Sequence, residues 1–169
     1  MLLSIETANI SMKEIVITGT TCHVFADVVG VMLADGLAVE ALVDFPERVM
    51  ISDTRLTIGH LPLGNYEKVR ESFSGYSTAV LTYSDNLQDR YSNELTLRHF
   101  VDTVQAAREA GVERLIVVGS PDSQAFFVSD LRRLDDIDWV FISTEGNYPG
   151  RVVSEVKNPA FHSAVYSEA

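Results

Sequence analysis

Residues 17–25, with the sequence ITGTTCHVF, combine residue types that could hold a phosphate group. In a phosphate-binding turn, the first glycine permits a tight bend, and the second lets the backbone approach the phosphate. The third allows close packing where a helix begins. Gly19 is placed as the first glycine, whereas Cys22 and Phe25 stand where the others are expected. The candidate cofactor-binding residues of the turn are Gly19, Thr20, Thr21, Cys22, His23, Val24 and Phe25.

Two interpretations of this turn follow from its substituted glycines. Cys22 fits without strain if its φ is negative, or at a cost of about 1–2 kcal/mol in the left-handed region. Phe25 either occupies volume that a cofactor needs and closes the crevice, or fills the core beside a turn that only connects strand to helix. The free N–H groups at the helix N-terminus would still allow weak anion binding.

Strand-like and helix-like segments alternate along the chain from residue 14 to residue 143. Short β-branched runs such as EIVITG (14–19) predict buried parallel strands, and helical spacing predicts helices between them. The longest helix is predicted at residues 92–111, with Ser92 as its N-cap and Gly111 as its stop. This alternation predicts an α/β fold, a doubly wound parallel sheet with strand order 3-2-1-4-5-6 in a three-layer αβα arrangement. Its ligand crevice would lie at the carboxyl ends of strands 1 and 4.

Four stretches carry a resemblance to a known family. MKEIVITGTT matches the first strand and turn, and ALVDFPERV matches the second strand with its following turn. VQAAREAGVERLIVVGS matches a helix–strand pair that ends in serine, and IDWVFIS matches a later strand. From residue 12 to about residue 146, the chain resembles the atypical short-chain dehydrogenase/reductases, which are NAD(P)-binding Rossmann proteins with NmrA-like and epimerase-like members. The resemblance implies a Rossmann fold and an oxidoreductase or epimerase activity that uses NAD(P).

The resemblance also implies roles for residues at the strand ends. Asp44 ends the second strand, 25 residues after Gly19, where an acidic residue binds the adenosine ribose in NAD-binding members. Many relatives have arginine at this position, so a bound dinucleotide would be NAD, and NADP is disfavoured. The alternative is a solvated loop carboxylate in an acidic protein. The positions implied on the nicotinamide side are Thr82, Tyr83, Ser84, Gly119 and Ser120.

The catalytic pair of the family, Tyr-x-x-x-Lys, is absent. No lysine lies between Arg114 and Lys157, and no tyrosine in that stretch precedes Tyr148. The family mechanism needs a tyrosine whose pKa is lowered by a neighbouring lysine. We therefore expect a catalytically impaired protein that senses a nucleotide or docks a protein. The alternative is an active NAD-dependent oxidoreductase or epimerase with an unconventional site, for which the catalytic candidates are Ser120, Tyr83 and Tyr148.

Composition narrows the class of partner. The net charge is −11, with 13 basic residues among 24 acidic ones, which argues against binding to nucleic acid or to an anionic membrane. A small-molecule nucleotide or a protein partner is expected instead, with a homodimer through the long helix as a further option. The four histidines lack metal-ligand spacing, so no metal site is predicted. One cysteine and no basic leader agree with a cytoplasmic protein. We expect an extension at residues 1–11, one domain at 12–156, and a tail or short closing element at 157–169.

Overall fold

A computed structural model of the protein describes residues 15–19, 22–83, 90–158 and 163–166, with residues 90–95 described by their backbone alone. Within these ranges seven strands form one parallel sheet. The strands are β1 (Ile15–Gly19), β2 (Val39–Val43), β3 (Leu56–His60), β4 (Thr78–Thr82), β5 (Arg114–Gly119), β6 (Asp138–Ser143) and β7 (Ala164–Tyr166). The helices are α1 (His23–Ala34), α2 (Tyr66–Ser72), α3 (Arg90–Glu109), α4 (Gln124–Leu131) and α5 (Tyr148–Lys157), with 3₁₀ turns at Pro46–Arg48 and Pro121–Ser123.

The strand order is β3-β2-β1-β4-β5-β6-β7, which confirms the predicted order of the first six strands and adds a seventh. β7 lies in the segment 157–169, and α5 precedes it without having been predicted. Ser92, the expected N-cap, lies inside α3, which begins at Arg90. The boundary expected after residue 11 falls outside the described residues. No helix in the described part of the chain is both long and apolar enough to cross a membrane.

Local sequence explains several helix boundaries. Asn65 caps α2, because its side-chain oxygen accepts a hydrogen bond from the Lys68 N–H at 3.3 Å. Gly36 follows α1 with a φ of 87°, and the Gly36 and Leu37 N–H groups bond back to the carbonyls of Leu33 and Met32. This left-handed ending is one that glycine adopts without strain. A glycine thus ends α1, and a short polar residue starts α2.

The two faces of the sheet carry different cores. Helices α2, α3 and α4 cover one face, whose buried cluster includes Phe100, Phe127, Phe141 and Trp139, the only tryptophan of the sequence. Helices α1 and α5 cover the other face, where the buried residues are aliphatic apart from Phe25 and Met32. The result is the three-layer αβα arrangement that the alternation of segments predicts.

A buried ion network fixes the amino edge of the sheet. Arg114, which is 1% exposed at the start of β5, pairs with the carboxylate of Glu155 on α5. The Arg114 guanidinium also donates to the Glu155 carbonyl at 2.7 Å, and its Nε lies 3.4 Å from an Asp138 carboxylate oxygen on β6. A buried guanidinium needs such partners because its desolvation is costly. The network joins β5, β6 and α5 at the edge opposite the predicted crevice.

The carboxyl edge depends on Gly19, the last residue of β1. Gly19 has a φ of +128°, and a Cβ built on it would lie 1.9 Å from the Thr82 carbonyl oxygen. Gly19 pairs in register with Val43 of β2 and with Thr82 of β4. A side chain here would therefore push β1 and β4 apart at the point where the strand order reverses.

Replacing Gly19 with alanine should lower the free energy of unfolding by about 3 kcal/mol or more, because steric overlap adds to the strain of a positive φ. The matched control is Gly36→Ala, which also has a positive φ but no atom within 4 Å of the added Cβ. The control should lose only about 1 kcal/mol. Urea denaturation of both variants measures the difference, and equal losses would show that β1 and β4 can move apart cheaply.

Candidate functional site

A cavity of about 440 Å³ opens at the carboxyl edge of the sheet. Strands β1 to β4 end at this edge in matched register, so the residues that end or follow them come together. Helix α3 provides the opposite wall. The lining residues are Thr18, Gly19, Asp44, Phe45, His60, Leu61, Leu63, Tyr83, Thr96, His99 and Thr103. Three of the predicted site residues, Gly19, Asp44 and Tyr83, therefore line one cavity.

Sequence reasoning missed the α3 wall of the cavity. Thr96, His99 and Thr103 follow helical spacing and share one face of α3. Their periodicity was visible in the sequence, but the sequence does not show which face of the helix lies over the strand ends. His60, the last residue of β3, was also missed as a site residue.

The turn after β1 accommodates Cys22 without backbone strain. Cys22 is the N-cap of α1 with φ −141° and ψ 179°, which is extended backbone. Cys22 therefore does not adopt the strained left-handed backbone conformation. The Cys22 carbonyl accepts the Ala26 N–H at 3.1 Å and closes the first turn of α1. Thr20 and Thr21 lie outside the described residues, so their predicted cofactor role stays a prediction.

Phe25 packs into the core and leaves the cavity open. Its side chain is 2% exposed and belongs, with Val24, to the cluster between α1 and the sheet. Phe25 also borders a separate groove, formed by the start of α1 and residues 48–51. The described lining of the 440 Å³ cavity does not include Phe25. The Phe25 ring therefore fills the core, and the predicted role of the turn in holding a cofactor stays a prediction.

Asp44 stands at the mouth of the cavity directly after β2. Its side chain is half-buried and accepts a hydrogen bond from the Phe45 N–H at 2.9 Å. The next residues form a cation–π pair, with the Arg48 guanidinium carbon 4.2 Å from the centre of the Phe45 ring. A carboxylate and an arginine thus lie close together along the segment that follows β2.

Tyr83 follows β4 and belongs to an aromatic cluster. It is 4% exposed, and its ring centroid lies 5.0 Å from that of Phe127 and 5.6 Å from that of Phe100. Burial raises the pKa of the Tyr83 hydroxyl well above its usual value. This shift is opposite in direction to the lowered pKa that a tyrosine acid–base catalyst needs.

The strand ends near β5 are held by local hydrogen bonds. Ser120 is 2% exposed, its Oγ donates to the Ser123 Oγ at 3.0 Å, and the same Oγ accepts from the Ser123 N–H at 3.2 Å. Gly119 lies against Phe127, since an added Cβ would come within 2.8 Å of that ring. The buried Thr82 hydroxyl donates to the Thr18 carbonyl at 3.3 Å. Ser84 lies outside the described residues.

Tyr148 and Tyr83 pack on opposite faces of the sheet. The Tyr148 hydroxyl donates to an Asp27 carboxylate oxygen at 2.7 Å and so joins α5 to α1. Tyr148 packs against the aliphatic cluster, whereas Tyr83 is part of the aromatic one. The structure therefore places the two tyrosines among different elements, and the catalytic role of Ser120, Tyr83 and Tyr148 stays a prediction.

Solved structures with the same architecture identify the fold. A candidate epimerase from Bacteroides thetaiotaomicron superposes with a TM-score of 0.71 at 17% identity, covering 94% of this chain and 100% of the other. The chain has the Rossmann fold. The Bordetella bronchiseptica enzyme WbmH, solved in complex with NAD+, gives a TM-score of 0.68 at 14% identity, covering 93% of this chain and 76% of the other. An Escherichia coli NADPH-dependent quinone oxidoreductase, solved with NADPH, gives a TM-score of 0.70 at 13% identity, covering 90% of this chain and 69% of the other.

These neighbours are of the epimerase and oxidoreductase type that the sequence resembles, and at such low identities the likeness shows the Rossmann fold alone. No protein-family model matches the sequence. No curated protein matches it either. The predicted Rossmann fold is confirmed by the structures, and any activity must be argued from the residues of the site.

The burial of Tyr83 predicts a dependence of stability on alkaline pH. The folded protein keeps the phenolic proton of Tyr83 to a higher pH than the unfolded chain does. The contribution of this difference to the free energy of unfolding is therefore complete below about pH 10 and is lost as the pH rises further. Tyr83→Phe should reduce the fall in unfolding free energy above pH 10 by up to about 1.4 kcal/mol per pH unit. Urea denaturation from pH 8 to pH 11.5 measures this difference. Identical slopes in the two proteins would mean that Tyr83 ionises freely in the fold.

Proposed function

We propose that the protein binds a nicotinamide adenine dinucleotide, with the adenosine half in the 440 Å³ cavity, and acts as a nucleotide sensor. The observation that carries the proposal is the position of this cavity, at the carboxyl ends of β1 and β4 where the strand order reverses. Dinucleotides bind at this switch point in doubly wound sheets. Two structural neighbours were solved with NAD+ or NADPH, which supports the class of ligand.

Asp44 favours NAD over NADP. A carboxylate at the end of β2 accepts hydrogen bonds from the ribose hydroxyls of NAD, and it repels the 2′-phosphate of NADP. Arg48, stacked on the neighbouring Phe45 ring, is the cation that would oppose this preference. Since Asp44 lines the cavity and Arg48 does not, we assign NAD as the preferred ligand.

Sensing is favoured over catalysis by the state of the candidate catalytic groups. The raised pKa of the Tyr83 hydroxyl makes it a poor proton donor, and the phenolate that would act as a base is scarcely populated near neutral pH. The Tyr148 hydroxyl is bonded to Asp27, and the Ser120 hydroxyl is bonded to Ser123. A sensor needs only the adenosine half to be recognised, and Asp44, the residue that would hold its ribose, lines the cavity.

An active oxidoreductase or epimerase is the second candidate function. It is supported by two of the neighbours, a candidate epimerase and a quinone oxidoreductase. In that case Ser120, Tyr83 and Tyr148 would act on a small-molecule substrate after side-chain movements. For the sensor, a protein partner or a second copy at α3 would receive the signal, and a cytoplasmic site fits both functions.

Calorimetric titration with NADH and NADPH tests the binding. NADH should bind at micromolar strength and more tightly than NADPH. Asp44→Ala should lower the affinity for NADH about 10- to 100-fold, because hydrogen bonds to a charged group are worth about 1.5–3 kcal/mol. The matched control is Glu71→Ala, which removes a negative charge on the exposed side of α2, away from the cavity. This variant should bind NADH as tightly as the wild type does. The absence of heat with either dinucleotide at millimolar concentration would overturn the proposal.

Comparison of ADP-ribose with NADH separates the two functions. A sensor that holds only the adenosine half should bind both ligands within about threefold, since the nicotinamide then adds little binding energy. An enzyme must also hold the nicotinamide ring, so NADH should bind more than tenfold tighter than ADP-ribose. Such a preference would sink the sensing role and favour the oxidoreductase or epimerase.

A further inference from the structure

Thr18 has a buried hydroxyl for which the described part of the chain provides no hydrogen-bond partner. The residue is 0% exposed, lies next to Gly19 in β1, and lines the cavity. Among the described side chains, its Oγ1 is one of the few buried polar atoms without a hydrogen-bond partner. Most buried polar atoms in folded proteins have a partner, so each exception needs a physical explanation.

The side chain of Thr18 faces the cavity. Neighbouring residues of a strand point to opposite faces, and Val16 packs in the aromatic-face cluster while Ile17 packs in the aliphatic one. Thr18 therefore points to the same face as Val16, towards α3. Its register partners on the two adjacent strands are Leu42 and Leu81, which offer no polar group. The hydroxyl thus stands between apolar neighbours on the face of the sheet that carries the cavity, and Thr18 is one of the residues that line it.

The chemistry of the surrounding walls fits a planar nitrogen heterocycle. Leu61, Leu63 and Phe45 supply apolar surface against which a flat ring can lie, and Thr103 on α3 adds a second nearly buried hydroxyl. A hydroxyl both donates and accepts hydrogen bonds, so it can pair with a ring nitrogen or with an exocyclic amine. Asp44 at the mouth would hold the ribose of the same nucleotide.

We propose that Thr18 is a ligand-binding residue whose hydroxyl pairs with a polar atom of the purine ring that enters the cavity. The inference rests on the proposed nucleotide binding and assigns the floor of the cavity to recognition of the base. The fold leaves this hydroxyl unsatisfied, and the bound base satisfies it. The purine can belong to a dinucleotide or to a mononucleotide, because both present the same ring.

Thr18→Val tests the assignment, since valine keeps the shape of threonine and removes the hydroxyl. Without ligand, the melting temperature should stay the same or rise, because a buried unsatisfied group has been removed. Affinity for NADH and for AMP, measured by calorimetry, should fall about tenfold. Thr57→Val, on an exposed position of β3, is the matched control and should leave both affinities unchanged.

Each other outcome overturns a defined part of the inference. Wild-type affinity in Thr18→Val, when the wild type binds NADH, removes Thr18 from the site and leaves the proposed function standing. A melting temperature lowered by several degrees means that the hydroxyl has a structural partner. A loss for NADH with none for AMP places Thr18 at another part of the dinucleotide. A wild-type protein that binds neither ligand overturns both the inference and the proposed function.

Discussion

The approach of β1 to the backbone of β4 at Gly19 is the constraint on which the crevice depends. These two strands are neighbours in the sheet although the chain between them forms β2, β3 and two helices. The crevice exists because the connections turn to opposite sides of this pair. A Cβ at Gly19 would force the Thr82 carbonyl to move. Thr18 and Tyr83, which line the cavity next to these two residues in the chain, would move with it.

The buried polar groups at the two edges of the sheet have different partners. At the amino edge, the guanidinium of Arg114 is neutralised by Glu155 and Asp138 within the fold. At the carboxyl edge, the polar groups among the described lining residues are hydroxyls, imidazoles and one carboxylate, set beside apolar side chains. The first edge stabilises the arrangement of β5, β6 and α5. The second keeps a cavity in which polar atoms can meet a ligand.

Much of the architecture could be predicted from the sequence because it rests on local signals. The apolar runs of the six predicted strands and the stops at Gly36 and Gly111 are properties of short segments. β7 was missed because three half-buried residues give no usable period. α5 was missed although Asn147 and Pro149 carry the signals of a helix start. Those signals were present and were not used.

The candidate site was less predictable because it depends on contacts between distant segments. The position of Asp44 followed from its place after a strand, and the structure puts it at the cavity. The direction of the Phe25 ring depends on how α1 packs, which the spacing of the glycines does not determine. The contact between Tyr148 and Asp27 joins residues that are far apart in the chain. Sequence patterns show on which helix or strand such residues lie, but they do not show which of these residues are in contact.

The single tryptophan gives the protein a built-in optical reporter. Trp139 is 6% exposed and lies in the aromatic-face cluster, on the same side of the sheet as the cavity. Its fluorescence therefore comes from one known environment, without the averaging that several indoles would bring. A change in the emission reports on the layer formed by α2, α3 and α4, whereas loosening of α1 and α5 alone would leave it largely silent. Tryptophan fluorescence can thus follow the aromatic face of the sheet on its own in the unlabelled protein.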